Sequence, residues 1–161
     1  MRNCHHCPAV ALMASGRTHA RVAAIVGVSV LLATPVTAQS FGVDCAAGSA
    51  AGALAGYLVT PDIDLITLTR EERRMRKRVP VFGRLWVAYW AAYGSFFTHR
   101  GVSHWPIIGT MTRAAYAFWW VPLMFDPMPV SQSFVVAMFA SWALQDFFHL
   151  AFDKFGIRWR I

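Results

Sequence analysis

Charged side chains are scarce in this chain of 161 residues, at 14% of the sequence, whereas an ordinary soluble domain has about 25%. Hydrophobic residues make up 57%, with 12 Phe and 7 Trp among them. A soluble protein this small needs a charged surface and could not hide so much apolar area. The composition therefore predicts an integral membrane protein, with the lipid bilayer as its first partner.

Cysteine is also rare, and two of the three cysteines frame the segment Cys4-His5-His6-Cys7. One CxxC without a second half is weak evidence for a zinc or redox site, so a disordered tail is the preferred interpretation. We assign residues 1–12 to a disordered extension or a mis-assigned start before Met13. Residues 13–161 are predicted to form a single helical membrane domain.

Several motifs that would identify other functions are missing. The sequence has no nucleophile elbow, P-loop or dinucleotide fingerprint. The net charge is +7, but no DNA- or RNA-binding motif accompanies it, and the basic residues are segregated into a few short stretches. We therefore expect no nucleic-acid partner and interpret the basic stretches as topology signals.

Predominantly apolar stretches of the sequence indicate the helices of the predicted bundle. Four long ones lie at 22–38, 43–60, 107–125 and 133–152, and a shorter aromatic one lies at 85–98. A span needs about 20 residues, so the shorter segment is predicted to be interfacial or half-inserted. The expected fold class is all-α: a small helical membrane bundle of about four transmembrane helices plus one interfacial or half-inserted helix.

Small residues mark one face of the second segment. Gly48, Gly52 and Gly56 recur at intervals of four, the small-xxx-small spacing that lets membrane helices approach closely. A weak helix is the alternative interpretation, because glycine lowers helix propensity in water.

The start of the chain also resembles a secretory signal peptide. Residues 13–38 have a basic start, an apolar stretch and a cleavage-site pattern at Val36-Thr37-Ala38. Cleavage would remove His19 and leave an odd number of spans, so an uncleaved first helix is favoured.

Histidine and aspartate gather in four short clusters. These are His19, the pair Asp62 and Asp64, the pair His99 and His104, and the set Asp146, His149 and Asp153. On a helix the last three lie within about 60° of one another. Two carboxylates and an imidazole in apolar surroundings are costly unless they are paired or bind a metal. A histidine hydrogen-bonded to an aspartate in the core is the alternative, but the whole set favours a metal.

Topology predicts that the clusters meet on one side of the membrane. If segment 85–98 does not cross the membrane and the other four segments do, all the clusters lie on the same side of the membrane. Residues 70–84 carry seven of the fifteen basic residues and are expected to form a solvated cytoplasmic loop, so the positive-inside rule makes that side cytoplasmic. Arg113 is the exception and must either reach that side or pair internally.

The types of ligand atom in these clusters limit the identity of the metal ion. Carboxylate oxygen plus imidazole nitrogen suits Zn²⁺, Mn²⁺ or Fe²⁺, with Zn²⁺ as the first expectation. The absence of cysteine from the clusters favours an open site over a closed structural zinc site.

The order of these motifs resembles an uncharacterised bacterial family of metal-binding membrane proteins, similar to inner-membrane metal-dependent hydrolases. The resemblance runs from Met13 to about Asp153, and its most specific element is His99-Arg100-Gly101-Val102-Ser103-His104, followed by Gly109-Thr110 and Arg113. It implies a location in the bacterial inner (cytoplasmic) membrane. It also implies candidate ligands or near neighbours, which are His19, Asp62, Asp64, His99, His104, Asp146, His149 and Asp153.

The function expected from these features is a metal-dependent hydrolase acting on a phosphoester or lipid substrate at the cytoplasmic face. The catalytic candidates are Asp64 or Asp146 as general base and Arg100 as a bidentate hydrogen-bond donor that holds a phosphate. The alternatives are a non-catalytic structural metal-binding protein and a transport or assembly partner.

Overall fold

Helices make up all the regular secondary structure that the computed structural model describes, which covers residues 16–64, 70–97, 101–105, 107–125 and 130–155. The helices are α1 Gly16–Phe41, α2 Val43–Leu58, α3 Arg70–Arg78, α4 Pro80–Phe96, α5 Ile108–Phe118, α6 Val121–Met124 and α7 Gln132–Phe155. Two 3₁₀ turns, Pro61–Asp64 and Val102–His104, lie between them. The predicted all-α class is confirmed for these residues.

Two helices in the described part of the chain are long and apolar enough to cross a membrane. They cover Thr18–Phe41 and Gln132–Phe155, 24 residues each, or about 36 Å of helix. Helix α2 has 16 residues, about 24 Å, which is shorter than the bilayer core of about 30 Å. The four-span bundle is therefore not confirmed, and the number of spans stays a prediction.

The expected single helix over 107–125 is wrong. Helix α5 ends at Phe118 and the short α6 begins at Val121. Pro122 explains the break, because its ring would clash with the carbonyl group of Phe118 in a continuous helix and it has no N–H to donate.

The expected loop over 70–84 is also wrong for its described part. Residues Arg70–Arg78 form α3, and α4 begins directly afterwards at Pro80. Arg, Glu, Lys and Met are good helix formers, and proline is well suited to the first position of a helix. The segment can therefore be helical and solvated at the same time.

Helices α1 and α2 are joined by one residue, Gly42. Its φ of 91° lies in the left-handed region that favours glycine. Helix α1 is continuous through Pro35 and the Val36–Ala38 segment. The two long helices α1 and α7 run antiparallel, so that the start of α1 lies beside the end of α7.

The small-residue face of α2 packs on α7, and the predicted close approach is confirmed. A Cβ atom at Gly52 would collide with the backbone carbonyl oxygen of Met138, and one at Gly48 would collide with that of Phe134. Two turns further along α7, the Gln145 side-chain amide donates to the Ala53 carbonyl oxygen at 2.8 Å. The two helices therefore run parallel and touch through their backbones.

An aromatic core holds α4 and α5 against this pair. Its buried members are Val59, Ile63, Trp90, Tyr93 and Trp142. The Trp142 indole donates to the Val59 carbonyl oxygen at 3.2 Å. Tyr89 and Tyr116 each donate to the other's carbonyl oxygen, at 2.6 and 2.7 Å. Val59 precedes the Pro61–Asp64 turn and Ile63 lies within it. Their packing in this core, which includes Trp142 of α7, therefore holds the turn against α7.

The α2–α7 contact predicts opposite effects for two glycine-to-alanine substitutions. In an open helix position this change stabilises by about 1 kcal/mol. Gly27→Ala meets only ordinary contacts, 3.5 Å from the Gln145 Oε1 atom, and should be neutral or stabilising. Gly52→Ala should lower the free energy of unfolding by about 1–3 kcal/mol, because a backbone carbonyl cannot move aside. Thermal or denaturant unfolding in detergent measures both, and an equally stable Gly52→Ala protein would contradict the packing.

Candidate metal centre

Five of the predicted site residues converge where α1 begins and α7 ends. His19 lies in the first turn of α1, and His149 and Asp153 lie near the end of α7. Asp62 and His104 come from the Pro61–Asp64 and Val102–His104 turns. The antiparallel pairing of α1 and α7 and the aromatic core together bring these four segments to one place.

The centre of the cluster is formed by His19, His149 and Asp153. The His19 Nε2 atom lies 3.0 Å from the Asp153 Oδ1 atom. The two imidazole rings stack, with centroids 3.9 Å apart and planes 18° from parallel. One donor atom from each of the three residues lies within 4.8 Å of the others. That spacing suits ligands of a single cation.

Asp62, in the Pro61–Asp64 turn, adds a second carboxylate beside His149 and His104. Its Oδ1 atom lies 3.5 Å from His149 Nε2 and 3.7 Å from His104 Nε2, both longer than a good hydrogen bond. Burial alone would raise the pKa of the Asp62 carboxyl, but the neighbouring His104 and His149 and the charge of His19 hold that pKa well below its usual range. Asp62 and these imidazoles therefore attract one another, and an ionised Asp62 carboxylate would attract a metal ion at the same place.

His149 carries the strongest indication of a metal. Its side chain is 4% exposed, and neither ring nitrogen has a hydrogen-bond partner among the described residues. Burying an unsatisfied polar group is costly, and a metal ion would satisfy one nitrogen directly. Imidazole nitrogens with carboxylate oxygens suit Zn²⁺, Mn²⁺ or Fe²⁺. The residues present thus fit a divalent metal without fixing which one.

Arg113 pairs internally, one of the two outcomes expected for it. Its guanidinium group is 1% exposed and forms a salt bridge with Asp146 Oδ2, to which Thr110 also donates a hydrogen bond. The other terminal guanidinium nitrogen, Nη1, donates to the Ser103 carbonyl oxygen at 2.8 Å. The Ser103 hydroxyl lies 3.3 Å from His104 Nδ1. The pair therefore anchors the turn that carries His104.

Asp146 does not join the donor cluster, although it was expected to do so. Its Oδ2 atom is engaged by Arg113 and Thr110, so its contacts give it a positioning role. The side chain of Asp64 lies outside the described residues, as do His99 and Arg100 entirely. Their predicted roles stay predictions.

Sequence reasoning assigned no role to Ser103, Thr110 or Gly109. A Cβ atom at Gly109 would collide with the Ser103 carbonyl oxygen, so the glycine lets α5 approach the Val102–His104 turn closely. The sequence did point to Gly109, Thr110 and Arg113, because they follow the motif that carries the family resemblance. Their spacing alone does not show which residues they contact.

Comparison with known proteins supports the metal. A family profile described as "Uncharacterized metal-binding protein (DUF2227)" matches residues 14–160. The chain belongs to this family. No curated protein and no solved structure shows significant similarity to it. The description of the family names metal binding and no activity.

The Arg113–Asp146 pair predicts an asymmetric mutational response. Asp146→Leu leaves a buried guanidinium charge uncompensated and should lower the free energy of unfolding by about 3–5 kcal/mol. The double variant Arg113→Met/Asp146→Leu removes both charges and should recover much of that loss. Chemical denaturation in detergent compares the two proteins, and a double variant less stable than the single one would contradict a compensated ion pair.

Proposed function

We propose that this protein is a membrane-embedded, metal-dependent hydrolase that acts on a phosphoester or lipid substrate at the cytoplasmic face of the bacterial inner membrane. One observation carries the proposal: the donor cluster is open on one side. The imidazoles of His19 and His149 are 8% and 4% exposed, whereas the carboxylates of Asp153 and Asp62 are each 22% exposed. Catalytic metal sites keep such an open position, and structural ones are closed.

The surface of the long helices supports the membrane location. On α1, Val28 is 53% exposed and Leu32 is 76% exposed, which is costly in water and favourable in lipid. The exposed basic residues of α3 follow the Pro61–Asp64 turn after a short interval in the chain. The positive-inside rule therefore favours the cytoplasm for the end of the bundle that carries the cluster.

The chemistry divides among the residues present. His19, His149 and Asp153 would hold the ion, which when bound polarises an ester or phosphoryl oxygen and lowers the pKa of water. An ionised Asp62 carboxylate would balance the positive charge. His104 lies between the Asp62 carboxylate and the Ser103 hydroxyl, where it can hold or release a proton at Nε2. Arg100, next to the same turn in the chain, remains the residue proposed to donate hydrogen bonds to the phosphate of the substrate.

A non-catalytic structural metal is the second candidate. It is favoured by the position of the cluster, where one ion would tie the start of α1 to the end of α7 and to the Pro61–Asp64 turn. In that case removal of the metal should loosen the bundle, and no substrate should be turned over.

Turnover separates the two candidates. Purified protein loaded with Zn²⁺ or Mn²⁺ should hydrolyse a chromogenic phosphodiester or a fatty-acyl ester, and a chelator should abolish the activity. Asp62→Asn should retain the metal but lose about 10–100-fold in kcat/KM, because it removes a charge beside the ligands. Leu32→Ala, at an exposed position on α1, controls for purification. Metal-loaded protein that turns over neither class, and whose unfolding temperature falls sharply on metal removal, would support the structural candidate instead.

A further inference from the structure

A groove of about 480 Å³ runs along the contact between α1 and α7. Its lining includes Val22, Val26, Val30, Leu144, Phe148 and Phe152. Apart from Ser29, every described residue that lines it is apolar. The groove therefore offers almost no hydrogen-bonding groups to an occupant and suits a hydrocarbon.

One end of the groove adjoins the donor cluster. Val22 lies three residues after His19 on α1, and Phe148 and Phe152 directly precede His149 and Asp153 on α7. Helices α1 and α7 thus supply both the polar cluster and the apolar groove, and along each helix the residues of the cluster lie next to those of the groove. An occupant that reaches both would need a polar head joined to an apolar tail.

The dimensions fit one chain and not two. From Val22 to Ala33 the groove follows α1 for eleven residues, or about 16 Å, a length that an extended acyl chain covers. Its volume lies in the lower part of the range of about 300–1,000 Å³ that is typical of ligand sites. Phe148 and Leu144 on its wall are 37% and 43% exposed, so the groove opens sideways, where a lipid tail could enter from the bilayer.

We propose that this groove binds one acyl chain of a phospholipid and places its phosphate at the cluster of His19, His149 and Asp153. The inference rests on the proposed function, since it names the substrate class for that site. The charges are complementary, because a metal held by the cluster attracts the anionic phosphate while the groove accepts the tail.

Photolabelling tests the groove without requiring turnover. The probe is a phosphatidic acid with a diazirine in the middle of one acyl chain, added to the metal-loaded, detergent-purified full chain. After irradiation, peptide mapping should find the label concentrated on the lining residues of α1 and α7. Ser29→Phe fills the groove and should reduce that label by about tenfold, with the metal content unchanged.

The matched control is the neighbouring residue. Val28→Phe adds the same side chain at a position that is 53% exposed and lies outside the lining, so its labelling should equal that of the native protein. Label spread evenly over the exposed faces, or equal labelling of the two variants, would show ordinary bulk lipid and overturn the inference. Groove residues that stay unlabelled while the other exposed faces of α1 and α7 take up label would show that something other than a lipid chain fills the groove, and would overturn the inference as well. Groove-specific labelling without any hydrolysis would support the acyl site while rejecting the hydrolase.

Discussion

The buried imidazole of His149 is the constraint on which the rest of this end of the bundle depends. Both ring nitrogens are buried without a hydrogen-bond partner among the described residues, and an unsatisfied polar group in apolar surroundings is costly. The stacked ring of His19 and the carboxylates of Asp153 and Asp62 gather around it. A cation at their centre would compensate the desolvation of all four groups.

A second buried charge is compensated by an ion pair, although Arg113 Nε and Asp146 Oδ1 have no hydrogen-bond partner among the described residues. Arg113 and Asp146 neutralise each other, and Thr110 and the Ser103 carbonyl group satisfy further polar atoms. The two arrangements are linked, because Ser103 precedes His104 and its hydroxyl lies beside the His104 ring. Packing that looks purely structural, such as the close approach at Gly109, therefore sets the position of a residue at the donor cluster. The backbone contact of α2 with α7 acts in the same way on Asp62, through the turn that follows α2.

The sequence predicted the helical class, the small-residue face of α2 and the convergence of His19, Asp62, His104, His149 and Asp153. Its errors have physical causes. Helical periodicity places Asp146 on the same face as Asp153, but the periodicity of one helix does not register that Thr110 and Arg113 of α5 engage the Asp146 Oδ2 atom. The hydropathy of residues 107–125 indicated one continuous helix, because a hydropathy pattern takes no account of the helix-breaking effect of Pro122. The partners of Arg113 could not be predicted, since they come from segments 10 and 33 residues away.

Whether the cluster of His19, His149 and Asp153 binds a metal can be decided by mass spectrometry of the metal content of the detergent-purified protein. We expect close to one Zn²⁺, Mn²⁺ or Fe²⁺ per chain. A His19→Ala/His149→Ala variant should lose it, and His104→Ala should weaken its binding by about 10–100-fold. Far-ultraviolet circular dichroism of each variant shows whether its helices persist. A native protein that holds no metal even after reconstitution, or a folded double variant that keeps its full complement, would contradict the account.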